Sequence, residues 1–377
     1  MLKRVVLVLG FLSIFSVSNA QHEAAASAEA QHSTEATNPL SEKEKSLEEV
    51  NEFKQHHILD SHSFNIMVEK KADGTEHHIG FPLPVIFYDK ANGLHTAMSS
   101  VFDHDQVFAS KGGYYKLFHE KILKTDAAGN ITMDEHHHAT NEKVLDLSIT
   151  KSALMIILTA LLMIWIFGSM ARNYKKSLVP TGIGKLMEPM VLFVRDEIAK
   201  PNIGHNYKKY MSYLLTVFFF ILFLNIFGLM PFGINVTGNI AITLALALIT
   251  FVITQVTANK NYWKHIFWMP GVPVPMKLVM LPIEVLGLFI KPFSLLIRLF
   301  ANMSAGHLII MSLIGLIYVF KNVIAGVAFP FLTFVLYLLE VLVAFLQAYI
   351  FTMLSAVYFG MANEEHGHEG EEGEIAH

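Results

Sequence analysis

Residues 294–310 read SLLIRLFANMSAGHLII, a run of Leu, Ile, Phe and Met that keeps Arg298, Asn302 and His307. A charge at the centre of a bilayer is costly, so such a side chain faces a protein interior or a water path. A snorkelling interfacial arginine is the bland alternative. Against it, some ten apolar residues extend beyond His307. Arg298 is therefore expected to meet a carboxylate on another element or another subunit. At helical spacing Glu284, Lys291 and Arg298 recur every seven residues and share one stripe, with Asn302 beside it. His307 lies nine residues after Arg298 and faces about half a turn away. The small residues Ala301, Ser304, Ala305 and Gly306 between them admit a close helix neighbour. Further on, Glu340 and Gln347 are also seven apart and share a face with Ala344 and Ala348. Glu340 is a buried carboxylate whose proton can come and go, and an imidazole titrates near neutral pH. Together they suit a proton entry path; a neutralised structural hydrogen bond is the plainer reading. Gln347 alone could simply bond a neighbouring helix.

These groups need a membrane scaffold, and the composition supplies one. The chain has 377 residues, 53% hydrophobic and only 16% charged, with 29 Phe. Soluble domains carry about a quarter charged residues. The deficit is uneven: the first 150 residues are polar and His-rich, and almost everything after Ser152 is apolar. A polar domain followed by a membrane domain is expected. The net charge of −4 and the lack of a long basic block give no sign of nucleic acid. With no Cys, disulfides and thiolate metal sites are excluded.

Residues 1–20 have a signal peptide's layout: Lys3 and Arg4, a short apolar stretch, then Ser18 and Ala20 at cleavage-type positions. A first membrane anchor is the alternative. Residues 21–54 form a low-complexity segment expected to be disordered. Residues 55–150 are expected to form a small extracytoplasmic domain with some β. The run FPLPVIFY and the turns KADGT, DKANG and DAAGN mark it. His56–His57, His77–His78 and His136–His138 invite a metal reading, but their spacing is irregular, and a solvated surface is preferred. No metal and no cofactor are expected.

Residues 151–363 hold the spans: 153–170, 213–230 and 240–256, then two long runs at 276–320 and 328–361. Those runs would reach roughly 65 and 50 Å as helices, far more than the hydrocarbon thickness, so a tilted hairpin is expected. Lys321 and Asn322 mark its outer turn. Residues 177–210 mix apolar and charged groups, as an interfacial amphipathic helix does. The lysine and arginine bias places Arg172, Lys175, Lys176, Lys260 and Lys264 inside. The uncharged turn PFGINVTGN then lies outside and the acidic tail 364–377 inside. The fold class is an all-α polytopic membrane protein of about five membrane helices. Two are long and tilted, one further helix is interfacial, and a small domain precedes them.

IRLFANMSAGH followed by LEVLVAFLQAYIFTMLSAVYFGMANEEH resembles subunit a of the F-type ATP synthase. MEPMVLFVRDEIAKPNIG, NIFGLMP and NVTGNIAITLALALITF are similar to family segments in the same order. The resemblance covers about residues 150–363 and says least about 21–145. It implies that Arg298 is the essential arginine, facing the carboxylates of a rotating c-ring and separating two aqueous half-channels. Asn302 is implied to be its polar companion, and Gln347 the glutamine near it. His307 and Glu340 occupy the coupled half-channel positions, in the reverse order of some members. Glu284 and Lys291 fall at polar positions on the cytoplasmic side. The implied function is a proton-translocating stator subunit, not catalytic on its own, in a bacterial inner membrane. Its implied partners are the c-ring, the subunit b stalk and, indirectly, the F1 sector. No GxxxxGK[ST] loop is present, which fits a translocator rather than an ATPase. A stand-alone channel or secondary transporter would be expected to show internal repeats, and none is seen. An intramembrane metalloenzyme would want an HExxH spacing that is absent.

Overall fold

In the computed structural model the described residues are 60–363, apart from 71–75, 119, 135–138, 177–178, 180, 231–233, 269–272 and 321–322. The expected leader, the low-complexity segment and the acidic tail lie outside them. So do the KADGT turn, His56–His57, His136–His138 and the Lys321–Asn322 turn. Of His77 and His78 only the strand that holds them is described.

The polar region is built of short antiparallel strands. β1 (Ser63–Lys70) pairs with β2 (Glu76–Pro82). β3 (Pro84–Asp89) lies between β4 (Gly93–Met98) and β8 (Leu145–Asp146). β5 (Phe108–Ser110), β6 (Gly113–Phe118) and β7 (Lys121–Thr125) form a further sheet. Alternation along β3 buries Val85, Phe87 and Asp89 and leaves Tyr88 outward, the period of a half-covered strand. DKANG turns β3 into β4, with Gly93 at φ +80°, where glycine carries no Cβ penalty. Phe87, Phe102, Tyr115 and Ile122 fill the core between the sheets. Asp89 is 2% exposed, and burial disfavours its charge. Bonds from the Ala91 amide, Tyr115 and Lys124 outweigh that and hold it at about 2.

Seven helices follow. α1 (Lys151–Tyr174) is capped by Thr150, whose side chain accepts from the Ala153 amide. α2 (Gly184–Phe193) runs through a π-helical stretch, Val194–Ala199, into a last turn, Lys200–Ile203. Gly204 (φ 72°, ψ −137°) then breaks the helix in a conformation essentially reserved for glycine. α3 (Tyr207–Leu229), α4 (Ile240–Thr257), α5 (Lys260–Phe267), α6 (Val274–Phe320) and α7 (Val323–Asn363) complete the bundle. Five segments among the described residues are long and apolar enough to cross a membrane. The protein is a multi-pass membrane protein.

Several elements differ in detail from expectation. The segment read as interfacial is docked into the bundle: Val194, Ile198 and Ala199 are fully buried, and Gly360 of α7 packs on the Asn202 backbone. α5 was not anticipated, because eight residues carrying two lysines and a histidine read as a loop. α6 continues through Pro282 and Pro292, and α7 through Pro330. At 47 and 41 residues these helices reach roughly 70 and 60 Å, so each must tilt strongly or project beyond the hydrocarbon. α7 presents Ala344, Ala348, Ser355 and Ala356, all fully buried, so α3 packs its Leu214, Phe218 and Phe219 into the same core.

His62 ties the start of β1 to the body of the polar region. Its ring is 2% exposed, with Nδ1 3.2 Å from Glu120 Oε2 and Nε2 2.7 Å from Asp146 Oδ2. Burial disfavours the imidazolium, but the two carboxylates prevail and push it up to about 9. The bound proton therefore stabilises the fold fully below pH 6.5 and is lost as pH rises through about 9. The shift corresponds to roughly 3 kcal/mol at neutral pH. Hydrogen exchange of β1 and β8 amides should accelerate between pH 8 and 10, beyond the intrinsic rise. The step should vanish in His62→Gln, which should exchange fast throughout.

Candidate functional site

α6 carries the site, and its two sides differ. Glu284 and Lys291 are half-buried, whereas Arg298 and Asn302 are exposed. Among the described residues no carboxylate lies within ion-pair distance of Arg298. The side chains around it on that surface are apolar: Ile290 is 54% exposed, Phe293 46% and Ile297 43%. An exposed guanidinium in such a belt calls for a partner outside this chain.

Two cavities with polar side chains on their walls lie along α6, one before and one after the turn that holds Arg298. One, of about 10 Å³, is lined by Thr250, Thr254, Gln255, Lys291 and Tyr358 among others, and ends at Leu295. Lys291 Nζ sits between two rings there, 5.9 Å from Tyr262 and 5.6 Å from Tyr358. Glu284 lies within electrostatic reach of Lys291, and Arg298 of Tyr358. Thr250 and Thr254 return their hydroxyl protons to carbonyls of their own helix, and Tyr213 reaches Thr250 at 2.7 Å. These hydroxyls are thus kept satisfied inside an apolar bundle.

The second cavity, about 80 Å³, has Asp60, Lys151, Asn235, Asn239, Ser304 and His307 on its walls. At roughly 10–15 Å³ for each water it has room for several. The loop between α3 and α4 is pinned to α6 at this point. Asn235 Nδ2 donates to Met303 O at 3.0 Å and Ser304 Oγ to Gly238 O at 3.3 Å. Between the cavities, Leu295, Leu296, Leu299 and Met303 are all at most 5% exposed. Leu295 and Ser304 stand nine residues apart, roughly 14 Å of helix whose inward face is packed with apolar side chains.

His307 thus lines one cavity while Arg298 faces outward, the half-turn separation expected from their spacing. Glu340 is 6% exposed on α7, its carboxyl group lying against Gly306. The only hydrogen in that position is glycine's, and this lets a carboxylate sit one residue from His307. Glu340 Oε1 has no hydrogen-bond partner among the described residues. Gln347 is 3% exposed on the same face of α7, flanked by fully buried Ala344 and Ala348. Arg298 and Asn302 share the outer surface; Lys291 belongs to the smaller cavity, with Glu284 in electrostatic reach of it.

Other polar groups escaped the sequence reading. Asn225 is fully buried in α3, donating to Ala344 O at 3.2 Å and accepting from Thr237 at 2.8 Å. An asparagine inside a phenylalanine-rich span was the available signal. Thr250, Thr254 and Gln255 left a weaker one, since threonines in an apolar helix usually bond their own backbone. Asp60 and Lys151 carried none, lying over 150 residues before His307. Among the described residues no group of His, Asp and Glu could hold a metal ion.

Fold and site define a class: a polytopic membrane bundle that exposes an arginine between two separate cavities with polar side chains on their walls. The family model described as ATP synthase A chain matches residues 153–360. A second model, Domain of unknown function (DUF8433), matches residues 53–147. The ATP synthase subunit a of Chlorobium phaeobacteroides (strain BS1) is 48% identical over 236 residues, 60% of this chain and 69% of that one. The ATP synthase subunit a 2 of Chlorobaculum tepidum is 48% identical over 238 residues, 60% and 67% of the two chains. The ATP synthase subunit a of Myxococcus xanthus is 47% identical over 247 residues, 62% and 80%. The chain belongs to the ATP synthase A chain family.

Two glycines of α6 give a controlled comparison. A Cβ at Gly306 would collide with the Glu340 carboxyl, whereas one at Gly287 meets nothing within 4 Å. Gly287→Ala should leave thermal stability in detergent unchanged or raise it by up to about 1 kcal/mol. Gly306→Ala should lower the melting temperature and should lower proton transport by the assembled complex, because it displaces Glu340.

Proposed function

We propose that this chain is the proton-translocating stator subunit of an F-type ATP synthase, offering two half-channels to a rotating ring of carboxylate-bearing subunits. The single observation that carries the reading is Arg298, exposed in an apolar belt with such a cavity before and after it along α6. A stalk such as subunit b would hold the chain against rotation, and the F1 sector would make the ATP. As a component of that complex the chain needs no cofactor.

The chemistry follows from desolvation. A ring carboxylate passing through lipid must carry a proton, because the ionised form is too costly there. Opposite Arg298 the ionised form is favoured, since a nearby opposite charge lowers a carboxyl pKa. The guanidinium never gives up its own charge, so the ring site must release its proton on approach and cannot retake one until it leaves. The apolar plug of Leu295, Leu296, Leu299 and Met303 supports this scheme, since water cannot then bridge the cavities. Protons enter through the larger cavity to His307 and pass on by way of Glu340 and Asn302 toward the ring. They leave through the smaller one past Lys291 and Glu284. One charge crossing 100 mV yields about 2.3 kcal/mol, so rotation must sum several protons for each ATP. The lysine and arginine bias supports placing the larger cavity outside and the C-terminus in the cytoplasm.

In inverted vesicles containing assembled complex, Arg298→Ala should abolish ATP-driven proton pumping. Assembly is checked by co-purification of ring and stalk. Near-wild-type pumping by that variant would sink the reading. Glu340→Gln should slow pumping without abolishing it, because waters in the cavity can still deliver protons.

A further inference from the structure

We propose that the β-rich domain takes part in proton uptake, with Asp60 relaying protons from the outer solution into the cavity that ends at His307. The proposal rests on the half-channel reading above and extends it to a residue outside the membrane helices. Asp60 and His307 line the same cavity, and Lys151, Asn235, Asn239 and Ser304 complete its polar wall. Lys151 is within electrostatic reach of both titratable groups.

The carboxylate is held in place from two sides. Its Oδ1 accepts from the Ser152 amide at 3.1 Å, and the neighbouring Ser61 carbonyl accepts from the Lys151 amide at 3.0 Å. Two residues further on, His62 is fixed between Glu120 and Asp146. The strand that enters β1 is thereby bonded both to the first turn of α1 and to the body of the domain. A tether of three residues, clamped at each end, is more order than capping one helix amide requires. It sets an acid group in the wall of the cavity that His307 also lines.

The step is balanced without a co-reactant. An Asp60 carboxylate oxygen takes a proton from outside water and becomes a carboxylic acid. It passes that proton to cavity water, which passes one to a ring nitrogen of His307. The carboxylate is regenerated, and no heavy-atom bond changes.

The test is ATP synthesis by the whole complex in liposomes under an imposed proton gradient. Asp60→Asn keeps an acceptor for the Ser152 amide and removes only the titratable function; Asp60→Glu keeps both. We expect Asp60→Asn to synthesise ATP about tenfold more slowly. That is less than the ~100-fold or more that a sole proton-transfer group supplies, since cavity water bypasses it in part. Asp60→Glu should recover most of the rate. Wild-type rates in Asp60→Asn overturn the proposal, as does an Asp60→Glu variant no faster than Asp60→Asn. Failure of Asp60→Asn to assemble also overturns it, because the charge would then be structural. The chain has no Cys, so Ser304→Cys in the otherwise native complex adds one thiol to this chain's cavity. It should react with an impermeant, charged thiol reagent applied from the outer side, and protection from that side would overturn a path open past Asp60. Arg298→Ala runs in parallel. If it stays coupled, the half-channel reading itself falls; if it is dead and Asp60→Asn is normal, only this inference falls.

Discussion

A guanidinium that cannot be neutralised, standing on an apolar surface, is the constraint around which the rest of this bundle is arranged. Arg298 cannot shed its proton to escape the cost of its position, as a buried lysine or histidine would. Its charge has to be answered by another molecule, and water has to be kept from shorting the two sides while that happens. The packing of α6 does the second job. Leu295, Leu296, Leu299 and Met303 are buried against neighbouring helices at the level where Arg298 points outward. The same turns of helix thus carry an exposed cation on one side and a sealed apolar plug on the other.

Polar groups inside the bundle follow a common rule. Thr250, Thr254, Thr352 and Ser355 each donate to a carbonyl four residues back, so their hydroxyls are satisfied within the helix. Asn225 and Asn235 instead cross between elements, to Ala344 and Met303. The first kind tunes the lining of a cavity at little cost; the second fixes one helix or loop against another. Glu340 Oε1 follows neither pattern. It lies against Gly306 with no partner among the described residues, as the proposed exchange of its proton would use.

The membrane part was largely legible from sequence, because hydropathy and helical period are local properties. The spans, the two overlong helices and the separation of Arg298 from His307 all follow from counting along the chain. The proximity of Glu340 to Gly306 does not, although both were noted: it depends on the register of α7 against α6, which no single helix encodes. Nor was the docking of Val194, Ile198 and Ala199 visible, since charged Arg195, Asp196 and Glu197 alternate with them. Asp60 was invisible for a different reason. Its meaning comes from a strand end meeting a helix start across a whole domain. A lone aspartate in a His-rich polar stretch has no pattern to betray it.

The pinning of the long helices has a mechanical side. On the proposed reading a rotor bearing on Arg298 would push α6 sideways, and an unsupported helix of that length would bend and let the contact slip. α6 is held near its middle by Asn235 and the Gly238 carbonyl, close to the loaded residue. The far end of α7 is braced too: Asn363 reaches Tyr210 at 2.6 Å, the Asn259 amide reaches Ala362 O at 2.8 Å, and Gly360 seats on the Asn202 backbone. Supports at mid-span and at the end convert two slender rods into a stiff frame. Torque from such a rotor would then be returned through the braces to the rest of the bundle instead of being absorbed as flexing.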